Sequence, residues 1–359
     1  MLKYIKKLFL YPLHVIYGII IQARNILYDL RLISTYKFNS PVIIIGNIHV
    51  GGTGKTPMVI YLANILHKNF NLAIISRGYK RQTKGMLKVN DNSLAINVGD
   101  EALMIKHKLK QVSVYVAEKR VPAIEQLKNK YQLFILDDGF QHRNLSVDLN
   151  IILIPYSYII KNSYFLPYGN QRDAFNSLKR AQIIIITKCP EPTGKPQQNT
   201  ITNKVKIYNK NLAVYFSSIQ YLGFIGINTL SINNTLNIKC IDYSYTVILV
   251  TAIANNQEII KFLQQTKCNI IEYNYKDHYY YQNSDLNEIL NRYNRIPGKN
   301  KIILTTEKDY TKLKELGYIQ RLDDVYCYYL DFEIKINNNK ESEFLQFILN
   351  YISKYHNNN

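Results

Sequence analysis

Short apolar, β-branched runs punctuate the first two-thirds of the chain. They fall at Val42–Ile45, Leu72–Ile75, Val112–Val116, Leu133–Leu136, Ile151–Ile154 and Ile183–Ile186. Apart from Val112–Val116, which carries Ser113, these runs are unbroken, and such a run reads as a strand buried on both faces, as in a parallel sheet. The segments between them are more polar, and the one after Val42–Ile45 is amphipathic. This alternation predicts an α/β sheet flanked by helices. After about residue 205 the apolar runs shorten and Asn becomes frequent. Runs at Leu212–Phe216, from Phe224, at Val247–Val250 and at Ile302–Leu304, with helix-like stretches at Glu258–Gln265 and Ser284–Tyr293, predict a second, smaller α/β unit. The expected division is an N-terminal segment 1–35, a core 36–205 and a C-terminal unit 206–359. The Asn-rich pieces near 229–237 and 337–339, and the tail Asn357–Asn359, read as loops and a frayed end.

The ends of these strands carry the candidate chemistry. The first runs into Gly46-Asn-Ile-His-Val-Gly51-Gly52-Thr53-Gly54-Lys55-Thr56 and then into the amphipathic segment, the strand–loop–helix order of a P-loop. Glycines let backbone N–H groups curl around phosphate oxygens, and the helix N-terminus adds partial positive charge. Lys55 can reach the β- and γ-phosphates, and the Thr56 hydroxyl can hold Mg²⁺. The strict pattern places glycine where this chain has His49, so Gly51 and Gly52 supply the flexibility. The fold expectation is therefore a P-loop NTPase-type, mainly parallel sheet. Leu133–Asp137 adds an apolar strand ending in carboxylates, Asp137 and Asp138, as a Walker-B strand does beside the metal. Gln141, His142 and Arg143 extend that polar cluster.

Several strand ends stay open between a site and a plain surface. Arg77-Gly-Tyr-Lys-Arg81 follows the second strand, as a phosphate grip or a solvated loop. Asp100-Glu101 precedes a helix-like stretch, as site carboxylates or helix-capping groups. Arg120 follows the third strand on its ligand side. Thr187-Lys188 closes a strand where P-loop proteins often contact the base, or is an ordinary strand end. The segments around His278 and Thr306–Asp309 are densely polar, which solvated loops also are.

At the N-terminus an uncharged run, Leu8–Ala23, lies between Lys3, Lys6, Lys7 and Arg24, Arg31. It is short of the ~20 apolar residues a membrane span needs, and no small-residue cleavage site follows it. Basic flanks around an apolar, Tyr-bearing stretch suit a helix lying in a membrane interface; a buried core helix is the alternative. Lys+Arg 45 against Asp+Glu 26 gives +19, which favours polyanionic partners. Richness in Lys, Asn, Ile and Tyr is also what an AT-rich genome encodes, which weakens charge as a functional signal. The four cysteines form no metal-ligand spacing, and scattered thiols fit a reducing compartment.

Together the motifs resemble one family, the tetraacyldisaccharide 4'-kinases of Gram-negative bacteria. The resemblance rests on Gly51-Gly-Thr-Gly-Lys-Thr-Pro57, Ser76-Arg-Gly-Tyr79, Gly99-Asp-Glu-Ala102, Asp137-Asp-Gly-Phe-Gln-His142, Leu166-Pro-Tyr-Gly169 with Arg172, Asp277-His-Tyr279 and Thr306-Glu-Lys-Asp309, in order over nearly the whole chain. It implies an enzyme that phosphorylates the 4'-hydroxyl of tetraacyldisaccharide 1-phosphate with ATP and Mg²⁺, giving lipid IVA at the cytoplasmic face of the inner membrane. It implies no nucleic acid and no obligate protein partner. By resemblance Asp100 is the base, paired with His278. Gly51, Gly52, Thr53, Gly54, Lys55 and Thr56 hold ATP. Thr56, Asp137 and Glu101 serve the metal, Asp138 serves catalysis, and Arg77, Arg120, Gln141, His142 and Arg172 contact substrate or phosphate. Three positions depart from the family pattern: His49, Val147 before Asp148, and Ala252-Ile-Ala-Asn-Asn256 in place of a Gly-x-Gly segment, which questions how closely that loop's backbone can approach. The rival reading is a partition- or septum-positioning ATPase switch. Such loops usually carry Lys before the Gly-Gly pair, where Val50 stands, and lack the His278 segment.

Overall fold

The computed structural model describes residues 2–147, 149–160, 164–190, 193–233 and 236–356, without the side chains of residues 2–9 and 356. Asp148, the tail Asn357–Asn359 and the side chains of Lys3, Lys6 and Lys7 lie outside the described residues.

Among the described residues one twelve-stranded sheet runs through the molecule, in the order β10-β9-β11-β12-β8-β7-β6-β1-β5-β2-β4-β3. The strands are β1 (Val42–Asn47), β2 (Leu72–Ser76), β3 (Leu87–Val89), β4 (Ser113–Val116), β5 (Leu133–Asp137), β6 (Leu149–Pro155), β7 (Ile183–Thr187), β8 (Ala213–Gly226), β9 (Thr246–Thr251), β10 (Asn269–Asn274), β11 (Lys301–Thr306) and β12 (Cys327–Ile336). β1 lies inside the sheet between β5 and β6, parallel to both. All its residues are buried, because helices cover both faces. Each of Ile43, Ile44 and Ile45 gains on the order of 2 kcal/mol from that burial. The register Val42↔Phe134 to Ile45↔Asp137 fixes the end of β5 beside the start of the P-loop.

The strands read from apolar runs stand where the patterning places them. Three others carry no such run. β3 is a short antiparallel edge strand. β10 has no fully buried position, and β12 carries Asp331, Glu333 and Lys335 between its buried ones, so both lack a continuous apolar stretch. β12 lies beyond Ile302–Leu304, the last strand the apolar runs reveal. The Asn-rich piece near 229–237 is not all loop. Thr229–Ile232 forms one helical turn, capped by the Asn228 side chain accepting from the Ser231 N–H (2.9 Å).

β8 joins the two halves. Its first residues pair in parallel with β7, Ile183↔Ala213 to Ile186↔Phe216. The remainder pairs antiparallel with β12, from Ser217↔Ile336 to Gly226↔Tyr328. The C-terminal helix Glu341–His356 then returns to the first half, packing Phe344, Ile348 and Ile352 into the core under β1 and the helix Lys55–Leu66.

The N-terminal helix Leu2–Asp29 lies on the outside. One side is tied down: the Tyr17 hydroxyl donates to the Arg172 carbonyl (3.2 Å), Asn25 Nδ2 donates to Asp173 Oδ1 (2.9 Å), and Arg143 Nη1 donates to the Asn25 carbonyl (2.8 Å). The other side leaves Ile16, Ile19 and Ile20 53%, 62% and 60% exposed. It is thus no buried core helix. Among the described residues no helix is long and apolar enough to cross a membrane.

Candidate active site

The site lies at the carboxyl ends of the parallel strands, where loops rather than ladder bonds set the backbone. Gly51 and Gly54 both hold φ 92, a left-handed conformation that disfavours any side chain. Gly54 caps the helix Lys55–Leu66 without a side-chain hydrogen bond, so the first-turn N–H groups remain available to an anion. Buried Thr53 pins the loop between them: Asn47 Nδ2 donates to its Oγ1 (2.6 Å), and Thr187 Oγ1 donates to its carbonyl (2.9 Å). His49 does not face the phosphate cradle. Its ring is fully buried against Tyr158 and Phe175, 4.9 and 5.8 Å between ring centres. Burial and the Arg172 charge push its pKa down to about 4, so it is neutral. Its neighbours hold the loop instead. The Val50 N–H donates to the Asn170 carbonyl (2.7 Å) and the Arg172 N–H to the Ile48 carbonyl (2.9 Å), so the P-loop itself positions Arg172.

The two carboxylates after β5 divide. Asp137 is wholly buried; Ser76 Oγ donates to its Oδ2 (3.1 Å), while Oδ1 has no partner among the described residues. Burial, then the charges of Glu101 and Asp138, push its pKa up to about 7. Asp138 takes the left-handed region, φ 55, at the turn into Gly139. Burial pushes its carboxyl up, but Lys55 and Arg172 outweigh that and hold it at about 2. Arg172 grips it with both Nη atoms, one bond at 3.1 Å, and Lys55 Nζ stands 3.7 Å from Oδ1. Adjacent carboxyls pushed in opposite directions by burial and charge in a cleft make this pair a candidate functional site.

The opposite wall is assembled from distant segments. Asp100 opens the helix Asp100–Lys108 after its Gly99 N-cap, and one of its oxygens accepts from the first-turn Glu101 N–H (2.9 Å). The other lies 2.8 Å from His278 Nδ1. One oxygen thus serves the helix start and the other faces His278. Lys308 Nζ and Lys312 Nζ stand 3.6 and 3.7 Å from the same Asp100 oxygen. Burial pushes this carboxyl up, yet the His278 hydrogen bond and the two ammonium groups hold it far below the ordinary carboxylate range. An ionised carboxylate only accepts, so His278 Nδ1 carries the hydrogen and donates. Nε2 is left 3.4 Å from Lys308 Nζ. His278 also sits in the left-handed region, φ 62, with its N–H donating to the Ala252 carbonyl (3.2 Å). The Ala252 N–H donates in turn to buried Asp309 (3.0 Å). The Ala-for-Gly change at 252 thus leaves this loop's backbone engaged at both groups.

A cavity of about 450 Å³ joins the walls. Residues 50–57, Arg77, Glu101, Asp137, Asp138, Arg172, His278 and Lys308 line it. Four expected residues stand outside the lining. Asp100 is buried beside the lining residues His278 and Lys308. Arg120 is completely buried, its guanidinium donating to the Ala117 and Asp137 carbonyls (3.2 Å to the latter), so it buttresses the end of β5 outside the cavity lining. Gln141 Nε2 donates to the Asn47 carbonyl (2.8 Å), bracing the start of the P-loop. His142, outside the lining, is pushed down to about 4 by burial and the charges of Arg120 and Arg77. Lys312 was given no role by the sequence reading. Its spacing from Asp309, one helical turn, was the available signal.

With a phosphate cradle on one wall and a hydrogen-bonded carboxylate–imidazole pair on the other, the molecule has the layout of a P-loop phosphotransferase. The sequence narrows that class. The chain belongs to the tetraacyldisaccharide-1-P 4'-kinase family, whose model matches residues 6–353. It is 35% identical to the tetraacyldisaccharide 4'-kinase of Bacteroides thetaiotaomicron, covering 96% of this chain and 92% of that protein. It is also 35% identical to the same kinase of Flavobacterium psychrophilum, covering 96% of each. Its fold matches the crystal structure of LpxK from Aquifex aeolicus in complex with ATP, with a TM-score of 0.71 and 29% identity over 95% of this chain and 98% of that one.

Proposed function

We propose that the chain performs the reaction its family is named for: transfer of the γ-phosphoryl group of ATP to the 4'-hydroxyl of a tetraacyldisaccharide 1-phosphate, yielding lipid IVA for lipid A. One observation carries the reading: His278, which lines the same cavity as the P-loop, lies 2.8 Å from the buried Asp100 carboxylate. Phosphoryl transfer needs positioning and charge neutralisation more than covalent chemistry. On this reading the Gly51–Gly54 backbone and Lys55 hold the phosphates. Asp100 accepts the hydrogen bond of the sugar hydroxyl and aims its oxygen in line, and His278 fixes that carboxylate's orientation. A loose transition state asks for orientation before deprotonation, which suits so weakly basic a carboxylate. Arg172 and Arg77 offer cations to the transferring group or to the acceptor's own phosphate.

The unpartnered Asp137 Oδ1, the Thr56 hydroxyl and Glu101 suit Mg²⁺, a hard cation that takes a few protein oxygens and completes its shell with water and phosphate. No group of three or more His, Cys, Asp or Glu side chains among the described residues forms a metal cage, in keeping with such an open site. When bound, Mg²⁺ would neutralise charge on the phosphate oxygens.

The acceptor's four acyl chains hold it in a bilayer at about 0.8 kcal/mol per buried CH₂, so the enzyme must come to the lipid. The exposed isoleucines of the N-terminal helix and the basic surface support docking on the cytoplasmic face of the inner membrane. Tyr17 and Asn25 link that helix to the loop carrying Arg172. The two halves joined through β8 would act as lobes that close on the substrates. The test is ³²P transfer from ATP to tetraacyldisaccharide 1-phosphate in micelles. Labelled lipid is expected; ATP hydrolysis stimulated by DNA, with no lipid labelled, would replace the kinase by a switch ATPase.

A further inference from the structure

One cation in the cavity remains without a role. Lys188 follows β7 directly, in a left-handed backbone conformation, φ 56. A residue with a long side chain holds that conformation only where its surroundings enforce it. Asp138 and His278, the other non-glycine residues with positive φ lining the cavity, both belong to the walls already described. The preceding Thr187 anchors one end of the P-loop through the Thr53 carbonyl (2.9 Å). The Lys188 side chain lies over the neighbouring residue of the loop: its Nζ would stand 3.7 Å from a Cβ placed on Gly52. Among the described residues this ammonium has no hydrogen-bond or ion-pair partner, whereas Lys55 and Arg172 both face Asp138. Burial pushes the Lys188 pKa down, opposed by the charge of Glu258. A desolvated, unpaired ammonium beside a glycine backbone is poised for an anion that arrives with its own charge.

We propose that Lys188 is a second phosphate-binding lysine of this P-loop, its ammonium meeting the nucleotide's phosphate chain at the Gly51–Gly52 end of the loop while Lys55 serves the helix end. To the two readings its sequence position left open, base contact and plain strand end, the ammonium's place beside Gly52 adds the phosphate chain, which the experiment separates from base contact. Two cations at opposite ends of one cradle would hold the phosphate chain straight as well as tight. The inference rests on the kinase reading, through ATP alone.

The first arm uses the wild-type protein: amine labelling of Lys188, read by mass spectrometry, with ATP, tripolyphosphate or adenosine present. ATP and tripolyphosphate are each expected to slow labelling about tenfold, and adenosine to leave it unchanged. The second arm uses calorimetry. Lys188→Met should weaken a non-hydrolysable ATP analogue about tenfold, spare adenosine and leave the melting temperature of the free protein unchanged; Lys188→Arg should restore binding. Protection by adenosine but not tripolyphosphate would make Lys188 a base contact and overturn the proposal. So would unchanged labelling with ATP demonstrably bound. Failure of the wild-type protein to bind ATP at all would instead strike the kinase reading, and this inference with it.

Discussion

The phosphate cradle and the acceptor wall face one another across one cavity but are built in opposite ways. The cradle is local. Gly51 to Thr56 follow β1 without a break, and short tethers from Asn47 and Thr187 hold them. The acceptor wall is remote in sequence: Asp100 and His278 are 178 residues apart and meet only because β8 carries the chain from one half of the sheet to the other. The electrostatics differ as well. The cradle presents backbone N–H groups and leaves Asp137 short of a partner, whereas Asp100 is surrounded by His278, Lys308 and Lys312. A site that must grip a common ligand can be a contiguous motif. A site that must orient one acceptor hydroxyl needs groups approaching from several directions, which a single loop cannot supply.

Substitutions can break this contrast. The largest effect is expected at the acceptor wall. Asp100→Ala and His278→Ala should each lower kcat about 10³-fold with little change in the KM for ATP, and the double variant should lose little more, since the pair acts as a unit. Lys55→Ala should instead harm ATP binding and turnover together. Wild-type-like turnover by either acceptor-wall variant would remove that residue from the mechanism. Next comes Lys312→Met, which strips a buried ammonium from Asp100 and Asp309 and should cost about 3 kcal/mol in urea unfolding near neutral pH. Asp100 has a depressed pKa in the folded protein, so its contribution is present above the ordinary carboxylate pKa of ~3.9 and is lost as pH falls. The gap between Lys312→Met and wild type should therefore hold down to about pH 3 and narrow only below it, as pH falls toward the depressed Asp100 value. A gap independent of pH would assign the loss to packing.

Asp137→Asn should act in the opposite sense, by a few kcal/mol. The Asp137 pKa is raised to about 7 in the folded state. Wild type therefore loses stability as pH rises from about 4 to about 7. The variant avoids that loss, so it should melt higher than wild type at pH 8 and equally at pH 4. Mg²⁺ with nucleotide should reverse the order at pH 8. A destabilised variant under all conditions would show that Asp137 is not a strained carboxylate awaiting a cation. The smallest effect on the site should follow removal of residues 1–30, which should move the protein from the membrane pellet to the supernatant. Unchanged pelleting would sink the docking role of the helix.

The amino-acid sequence determined the cradle and the frame around it. A P-loop is a local backbone conformation encoded by consecutive glycines, and buried parallel strands announce themselves as unbroken apolar runs. That made β1, β2, β5, β6 and β7, Lys55 and the Asp137–Asp138 pair legible directly. β10 and β12 escaped because a half-exposed strand, or one interrupted by Asp331, Glu333 and Lys335, carries no such run. The Asp100–His278 pairing could be read only through family resemblance, since nothing within either segment names the other. Only the tertiary structure decided what each polar side chain meets. It placed Arg120 behind β5 instead of in the cavity, turned His49 into an apolar pocket, and brought Lys312 under Asp100. Local patterning sets backbone conformation and burial, but hydrogen-bond partners and desolvation are set by whichever segments the sheet order brings together.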